Sequence, residues 1–215
     1  MIHITNENEL QNICQGNLEI YFVDFLKALL RVDSHFLIWP YPNGVNQQMI
    51  ERVFAYELYH QWRLITTQNT DRYENIIING EIRKDQSVIR HPDLGEVYPD
   101  LILHQQQDNL DQQLLACEIK TLNAIQHTNG KKQLKKDLVK LDNYIQELSF
   151  NCTVFVQILN INDYFETAII PYIRRNLNNK NLILNNLENI FYIIKDYGYI
   201  KYDTLQNIVN NMGLP

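Results

Sequence analysis

The spacing of apolar residues predicts two helices in the first part of the chain. Apolar positions recur mostly three and four residues apart over 17–32 and again over 47–64, which is the periodicity of a helix with one buried face. Pro40, Pro42 and the pair Asn43-Gly44 lie between the two segments and indicate a loop.

Four shorter runs of β-branched and other apolar residues predict strands over 75–84, 98–104, 113–121 and 151–159. A polar connection of Gln, Asp and Asn separates the second run from the third, so we expect these two strands to be antiparallel neighbours. A helix over 131–148 is predicted by an apolar stripe that consists of Leu134, Leu138, Leu141, Ile145 and Leu148. The predicted core order is therefore helix, three strands, helix, strand.

Beyond Asn162 the pattern predicts two or three further helices, interrupted by the Asn-rich run NLNNKNLILNNLEN. We therefore expect an α/β protein with a mixed sheet and flanking helices at both termini. The predicted organisation is an N-terminal helical extension over 1–46, a core over 47–160 and a C-terminal helical extension over 161–215.

Composition and charge narrow the classes of function. The chain has 215 residues, of which 45% are hydrophobic and 20% charged, as in ordinary globular proteins and unlike collagen-like, coiled-coil or wholly disordered chains. The formal net charge of -6 argues against a protein that coats nucleic acid non-specifically, although it is compatible with a local basic patch.

The positions of the cysteines and the lengths of the apolar runs indicate the cellular compartment in which we expect the protein. Cys14, Cys117 and Cys152 are far apart and form no CxxC pair, which favours reduced thiols. The first residues lack the basic-then-apolar layout of a secretory signal, and no apolar run approaches the roughly eighteen residues of a membrane span. We therefore expect a cytoplasmic protein without a membrane partner.

Two carboxylates and a lysine on neighbouring predicted strands are the strongest candidates for chemistry. Glu118 and Lys120 are two positions apart on one strand, so their side chains share a face. Asp100, which follows Pro99, belongs to the preceding strand, and pairing of the two strands would bring it beside Glu118. Carboxylates at such close range disfavour double ionisation unless a cation accompanies them. Oxygen ligands suit Mg²⁺ or Mn²⁺ rather than Zn²⁺, so the sequence predicts a magnesium or manganese site.

Such a site favours phosphodiester hydrolysis. Mg²⁺ held by one or two carboxylates keeps several waters and takes its remaining ligands from phosphate oxygens. The ion lowers the pKa of a bound water and offsets charge in the transition state, while Lys120 positions that water.

The spacing of these residues resembles the signature of the PD-(D/E)XK nuclease superfamily, with Pro99-Asp100, a gap of 17 residues over 101–117, and then Glu118-Ile119-Lys120. The resemblance implies a restriction-endonuclease-like core, and the order predicted from 47 to 159 agrees with it. It also implies a metal-dependent nuclease, with DNA as the expected substrate and a setting in bacterial defence or restriction. In that family pattern Asp100, Glu118 and the Ile119 carbonyl would bind the ion.

The resemblance also draws attention to a third acid on the first core helix. Glu57 lies within the apolar stripe of the helix over 47–64, where an ionised carboxylate needs a metal or a cationic partner. It is therefore a candidate for metal support, and Glu51, towards the edge of the stripe, is the weaker candidate. Glu81 and His104 resemble positions in a subset of bacterial members and are secondary candidates. The segment DLVKL over 137–141, on the helix after the motif, resembles the same subset.

A basic cluster follows the motif and is a candidate for binding nucleic-acid phosphates. Its members are Lys131, Lys132, Lys135 and Lys136. A run of lysines on one helix is equally typical of a solvated face. By analogy, cleavage of both strands of a duplex would favour a homodimer.

Two other functions stay open at this point. One is a catalytically inactive nucleic-acid-binding module on the same fold, which an assay of metal-dependent cleavage would distinguish from a nuclease. The other is a protein-interaction subunit in which the strand motif is a coincidence, and this hypothesis predicts that Asp100 lies far from Glu118.

Overall fold

A computed structural model describes residues 1–13, 20–37, 39–40, 47–48, 51–80, 99–105, 113–127 and 129–210. Its α-helices are α1 (Glu7–Ile13), α2 (Ile20–Arg31), α3 (Glu51–Gln68), α4 (Leu122–Gln126), α5 (Gly130–Leu148), α6 (Ile170–Asn178) and α7 (Leu205–Asn210). Its strands are β1 (Ile2–Ile4), β2 (Trp39–Pro40), β3 (Gln47–Gln48), β4 (Ile76–Gly80), β5 (Leu101–Gln105), β6 (Gln113–Thr121), β7 (Phe150–Ile158), β8 (Ile190–Lys195) and β9 (Ile200–Thr204). None of the helices in these ranges has the length and apolar character that a membrane crossing requires.

A seven-stranded mixed sheet forms the centre, in the order β1-β9-β8-β7-β6-β5-β4. The three middle strands β6, β7 and β8 are parallel neighbours, and the strands on either side of them pair antiparallel. Strands β2 and β3 pair separately from this sheet. The α/β class, the mixed sheet and the flanking helices predicted from the sequence are confirmed.

The predicted core order is present in the structure as α3, β4, β5, β6, α5 and β7, with the short helix α4 inserted before α5. β5 and β6 are antiparallel neighbours as predicted, with Leu101 opposite Cys117. β4 (Ile76–Gly80) covers the middle of the strand predicted over 75–84, and positions 81–84 lie outside the described residues. Glu81 lies outside the described residues.

Helices cover both faces of the sheet. Successive side chains of a strand point to opposite faces, so Cys117 and Ile119 of β6 pack in the hydrophobic layer that contains Phe54 and Leu58 of α3. Ala116 packs in the opposite layer, with Leu138 of α5. Glu118 and Lys120 have the same parity as Ala116 and therefore lie on the face that α5 covers.

The burial of β6 explains its nearly continuous apolar sequence. β5 and β7 flank it on both edges and helical layers cover both faces, so eight of its nine residues are buried. Thr121, directly after Lys120, ends the strand and caps α4, since its hydroxyl accepts a hydrogen bond from Ala124 N–H at 3.3 Å. Lys120 therefore lies where the strand changes into a helix.

Gly130 begins α5, and a Cβ at this position would overlap the Ala124 carbonyl oxygen of α4. The helix ends at Ser149, which adopts a left-handed conformation with φ 56° and donates its N–H to the Tyr144 carbonyl.

The C-terminal segment differs from the prediction. The expectation of a wholly helical extension over 161–215 is wrong, because β8 and β9 lie within it and join the sheet beside β7. All six residues of β8 are buried, so the strand shows no polar alternation, and an apolar run this short does not distinguish a strand from a buried helix. The N-terminal segment likewise contributes β1 to the sheet in addition to its helices.

Candidate active site

Asp100 lies immediately before β5 and opposite Glu118 of β6. Its N–H donates to the Cys117 carbonyl at 3.0 Å, which extends the β5–β6 pairing by one residue. Its Oδ2 accepts a hydrogen bond from Ile119 N–H at 2.6 Å. Strand pairing therefore brings Asp100 against the segment Glu118-Ile119-Lys120.

Glu118 is a buried carboxylate, with 3% of its surface exposed. Its Oε1 pairs with Lys140 Nζ at 2.5 Å and accepts a hydrogen bond from the Tyr144 hydroxyl at 3.3 Å. Burial raises the pKa of Glu118 to about 7 and the neighbouring charge of Asp100 adds to the rise, although Lys140 opposes it. The carboxyl therefore titrates close to neutral pH.

The pKa of Asp100 is also raised, again because burial disfavours the charged form. Lys120, the hydrogen bond from Ile119 and Lys140 act in the opposite direction. Two carboxyl groups with raised pKa values thus lie at the junction of β5 and β6. An additional positive charge would stabilise both in their ionised forms.

Lys120 lies between acidic side chains from different elements. Its Nζ donates to the Ile119 carbonyl at 3.0 Å and forms an ion pair with Glu51 Oε2 at 3.5 Å. Burial alone would lower the pKa of Lys120, but the surrounding charges of Asp100, Glu51, Asp137 and Glu118 outweigh it, and the pKa is raised. The lysine is therefore an ammonium ion at neutral pH.

The helix acid that reaches this lysine is Glu51, which the sequence ranked below Glu57. Glu51 is the first residue of α3, and its Oε1 also accepts a hydrogen bond from Thr121 N–H at 3.2 Å. Glu57 lies six residues further on, about 9 Å along the helix axis, and accepts a hydrogen bond from Gln61 at 2.6 Å. The structure thus joins the end of α3, rather than the middle of its apolar stripe, to the end of β6.

His104 shares a strand with Leu101 but lies at the other end of it. It is four residues from Asp100, about 13 Å along an extended chain. Its ring is buried, and Nε2 lies 2.8 Å from the Asn79 amide nitrogen of β4. The structure therefore places His104 apart from the Asp100 and Glu118 pair.

Asp137 of α5 is a further acid at the site, and it lies in the segment DLVKL, for which the sequence assigned no role to the aspartate. It is 3% exposed, and its Oδ1 accepts a hydrogen bond from Gln133 at 2.8 Å. Burial raises its pKa, while Lys120 and Lys140 lower it. Asp137, Lys140 and Tyr144 follow a spacing of three and four and so share one flank of α5. That spacing was the signal in the sequence that could have found it.

The atoms suited to a cation at this site are all oxygens: the carboxylates of Asp100 and Glu118 and the carbonyl of Ile119. Oxygen ligands fit Mg²⁺ or Mn²⁺. Within the described part of the chain, no three His, Cys, Asp or Glu side chains are already arranged as a metal-binding group. In this arrangement the charge of Glu118 is balanced by Lys140.

The lysine groove lies on α5 beside α6, and it has a volume of about 630 Å³. Its lining consists of Lys132, Lys135, Lys136, Val139, Tyr172, Asn176 and Asn181. Lys131 lies above two aromatic rings, with its Nζ 5.6 Å from the centre of Tyr164 and 5.9 Å from that of Tyr172. Three of the four predicted lysines therefore line one surface. Because all charged residues of this lining are positive, the surface suits an anion.

The chain matches no protein-family model, no curated protein and no solved structure.

Proposed function

We propose that the protein is a metal-dependent nuclease that hydrolyses phosphodiester bonds of DNA on a restriction-endonuclease-like core of the PD-(D/E)XK type. One observation carries the proposal: the pairing of β5 with β6 places Asp100 against Glu118, Ile119 and Lys120. The element order around these strands agrees with the proposed core. The resemblance of the sequence to the PD-(D/E)XK superfamily also suggests a role in bacterial defence or restriction.

Three groups would hold the ion, namely the carboxylates of Asp100 and Glu118 and the carbonyl of Ile119. Mg²⁺ or Mn²⁺ bound there supplies a Lewis acid and a water of lowered pKa. A metal ion bound there would take the place of the Lys140 ammonium as the cation that accompanies Glu118. Asp100 is kept in place by the N–H of Ile119.

Lys120 has the position and charge to orient the attacking water. Its contacts with the Ile119 carbonyl and with Glu51 occupy two of the three N–H groups of the ammonium. The remaining N–H can donate to a water or to a phosphate oxygen beside the two carboxylates. Glu51 therefore positions Lys120, which is a different role from the metal support that the sequence suggested for Glu57.

The lysine groove supports nucleic acid as the substrate. Lys132, Lys135 and Lys136 concentrate positive charge on one side of a protein whose net charge is -6. Each lysine that neutralises a phosphate releases counterions and adds to a salt-dependent affinity. An acidic protein that binds an anionic polymer requires such a local surface.

The ion pair between Lys140 and Glu118 favours a second candidate, a nucleic-acid-binding module without catalysis. Lys140 balances the buried charge of Glu118 without any metal. If this pair persists under all conditions, Glu118 is not a ligand, and the lysine groove alone defines the function.

A cleavage assay separates the two candidates. The purified protein is incubated with plasmid DNA, single-stranded DNA and RNA in Mg²⁺, Mn²⁺ or chelator, beside Asp100→Ala and Lys120→Ala. Asp71→Ala and Lys180→Ala, at exposed positions, are the controls. We expect metal-dependent cleavage that both site variants lose and both controls keep. Binding without cleavage by the unmodified protein would favour the inactive module, and the absence of both would contradict a nucleic-acid function.

A further inference from the structure

Asp137 has one oxygen with a partner and one without. Gln133 donates to Oδ1, whereas Oδ2 is buried and has no hydrogen-bond partner among the described residues. A buried carboxylate oxygen without a donor costs free energy, so such atoms are uncommon and call for an explanation.

Asp142, about one and a half turns further along the same helix, is an aspartate with a structural role and serves as a comparison. It is equally buried, at 2% exposed. One of its oxygens accepts the N–H groups of Asn185 and Asn186, and the other accepts the side-chain amide of Gln146. Asp142 therefore fastens the segment before β8 to α5, and the donors of the fold satisfy its carboxylate. By contrast, no donor among the described residues bonds to Oδ2 of Asp137, so this oxygen does not fasten another segment to α5.

The surroundings of Asp137 belong to the site. Lys140, one turn along α5, contacts Glu118 of β6. Lys120 is two residues from Glu118 on the face of β6 that α5 covers; its charge acts to lower the pKa of Asp137, and the charge of Asp137 acts to raise the pKa of Lys120. Gln133 donates to Oδ1 of Asp137, so Oδ2 is the carboxylate oxygen that has no partner among the described residues.

We propose that Asp137 Oδ2 accepts a hydrogen bond from the water that attacks the phosphorus, and that Lys120 donates a hydrogen bond to the oxygen of the same water. This inference rests on the proposed nuclease function. A water molecule suits the pair because it donates to an acceptor-only carboxylate and accepts from a donor-only ammonium. Two fixed protein partners of opposite charge would hold the water in one orientation.

The test compares Asp137→Asn with Asp142→Asn, two isosteric changes at buried aspartates of one helix. In D137N the side-chain amide can keep the bond to Gln133 but presents N–H in place of the unpartnered oxygen. We expect the kcat for DNA cleavage to fall about 100-fold in D137N, with KM unchanged, since a positioned acceptor acts on the reacting water. The melting temperature of D137N should equal or exceed that of the unmodified protein. D142N should melt at a lower temperature and keep its kcat.

Four results would contradict the inference. A D137N variant that cleaves at the normal rate removes Asp137 from the reaction, and one that melts well below the unmodified protein shows a structural residue. A rise in KM alone indicates a role in substrate binding instead. If the unmodified protein does not cleave, the proposed function itself fails and the water-binding role fails with it. Cleavage by the unmodified protein with an unaffected D137N refutes only the role of Asp137.

Discussion

Replacing Glu118 by Gln should make the metal-free protein more stable at alkaline pH. Glu118 is buried on β6, and burial raises its pKa from 4.5 to about 7. The folded protein therefore binds more protons at this position than the unfolded chain between these two pH values. The stabilising contribution of Glu118 is present below pH 4.5 and is lost as the pH rises to about 7.

The size of this loss follows from the two pKa values. At about 1.4 kcal/mol per pH unit, the interval from 4.5 to about 7 corresponds to about 3 kcal/mol of unfolding free energy. Glutamine has a similar shape and does not ionise, so E118Q escapes the loss. We expect E118Q to exceed the unmodified protein by up to about 3 kcal/mol at pH 8 and to equal it near pH 4.5.

Urea denaturation in chelator at pH 4.5, 6 and 8, at constant ionic strength, measures the difference. Glu57→Gln is the matched control, because Glu57 is a half-buried glutamate on α3 that accepts a bond from Gln61. We expect its effect to stay within about 0.5 kcal/mol and not to depend on pH. We would be wrong that ionised Glu118 destabilises the folded protein if E118Q were less stable than the unmodified protein at pH 8. That result would show that the pair with Lys140 outweighs the cost of burial.

Two further predictions concern α5. Gly130→Ala should lower the free energy of unfolding by about 1 to 3 kcal/mol, since the new methyl overlaps the Ala124 carbonyl, whereas Gly198→Ala, with open space around the Cβ, should be nearly neutral in the same denaturation assay. A G130A variant as stable as G198A would contradict the close packing of α4 on α5. Lys136→Ala should reduce the slope of log affinity against log salt by about 0.7 to 0.9 in a fluorescence-anisotropy titration with DNA. Arg63→Ala, at an exposed position of α3, should leave that slope unchanged, and equal slopes for both variants would remove the lysine groove from the DNA-binding surface.

The sequence predicted the part of the site that depends on local geometry. Alternation along a strand places Glu118 and Lys120 on one face whatever surrounds them. The short polar connection made β5 and β6 antiparallel neighbours, and the register then brought Asp100 opposite Glu118. These features need no knowledge of distant parts of the chain.

The parts that the sequence did not predict depend on tertiary contacts. The apolar stripe of α3 pointed to Glu57, but the contact with Lys120 is made by Glu51, because the position of the helix along the sheet decides which turn meets the end of β6. The spacing of Asp137, Lys140 and Tyr144 indicates a shared flank of α5, but only the partners of its two oxygens distinguish Asp137 from the other polar residues beside the leucine stripe. The strand β8 is a short apolar run that becomes a strand because β7 and β9 are available to pair with it.

Calorimetric titration of the protein with Mn²⁺ measures whether Asp100 and Glu118 hold a metal ion. Asp100→Asn keeps an acceptor for Ile119 N–H, so it removes the charge while the β5–β6 junction stays intact. We expect one ion to bind to each chain, D100N and E118Q both to lose this binding, and Asp71→Asn, at an exposed position, to retain it. An unmodified protein that binds no ion, or a D100N variant that binds as tightly as the unmodified protein, would contradict the claim that these two acids hold a metal.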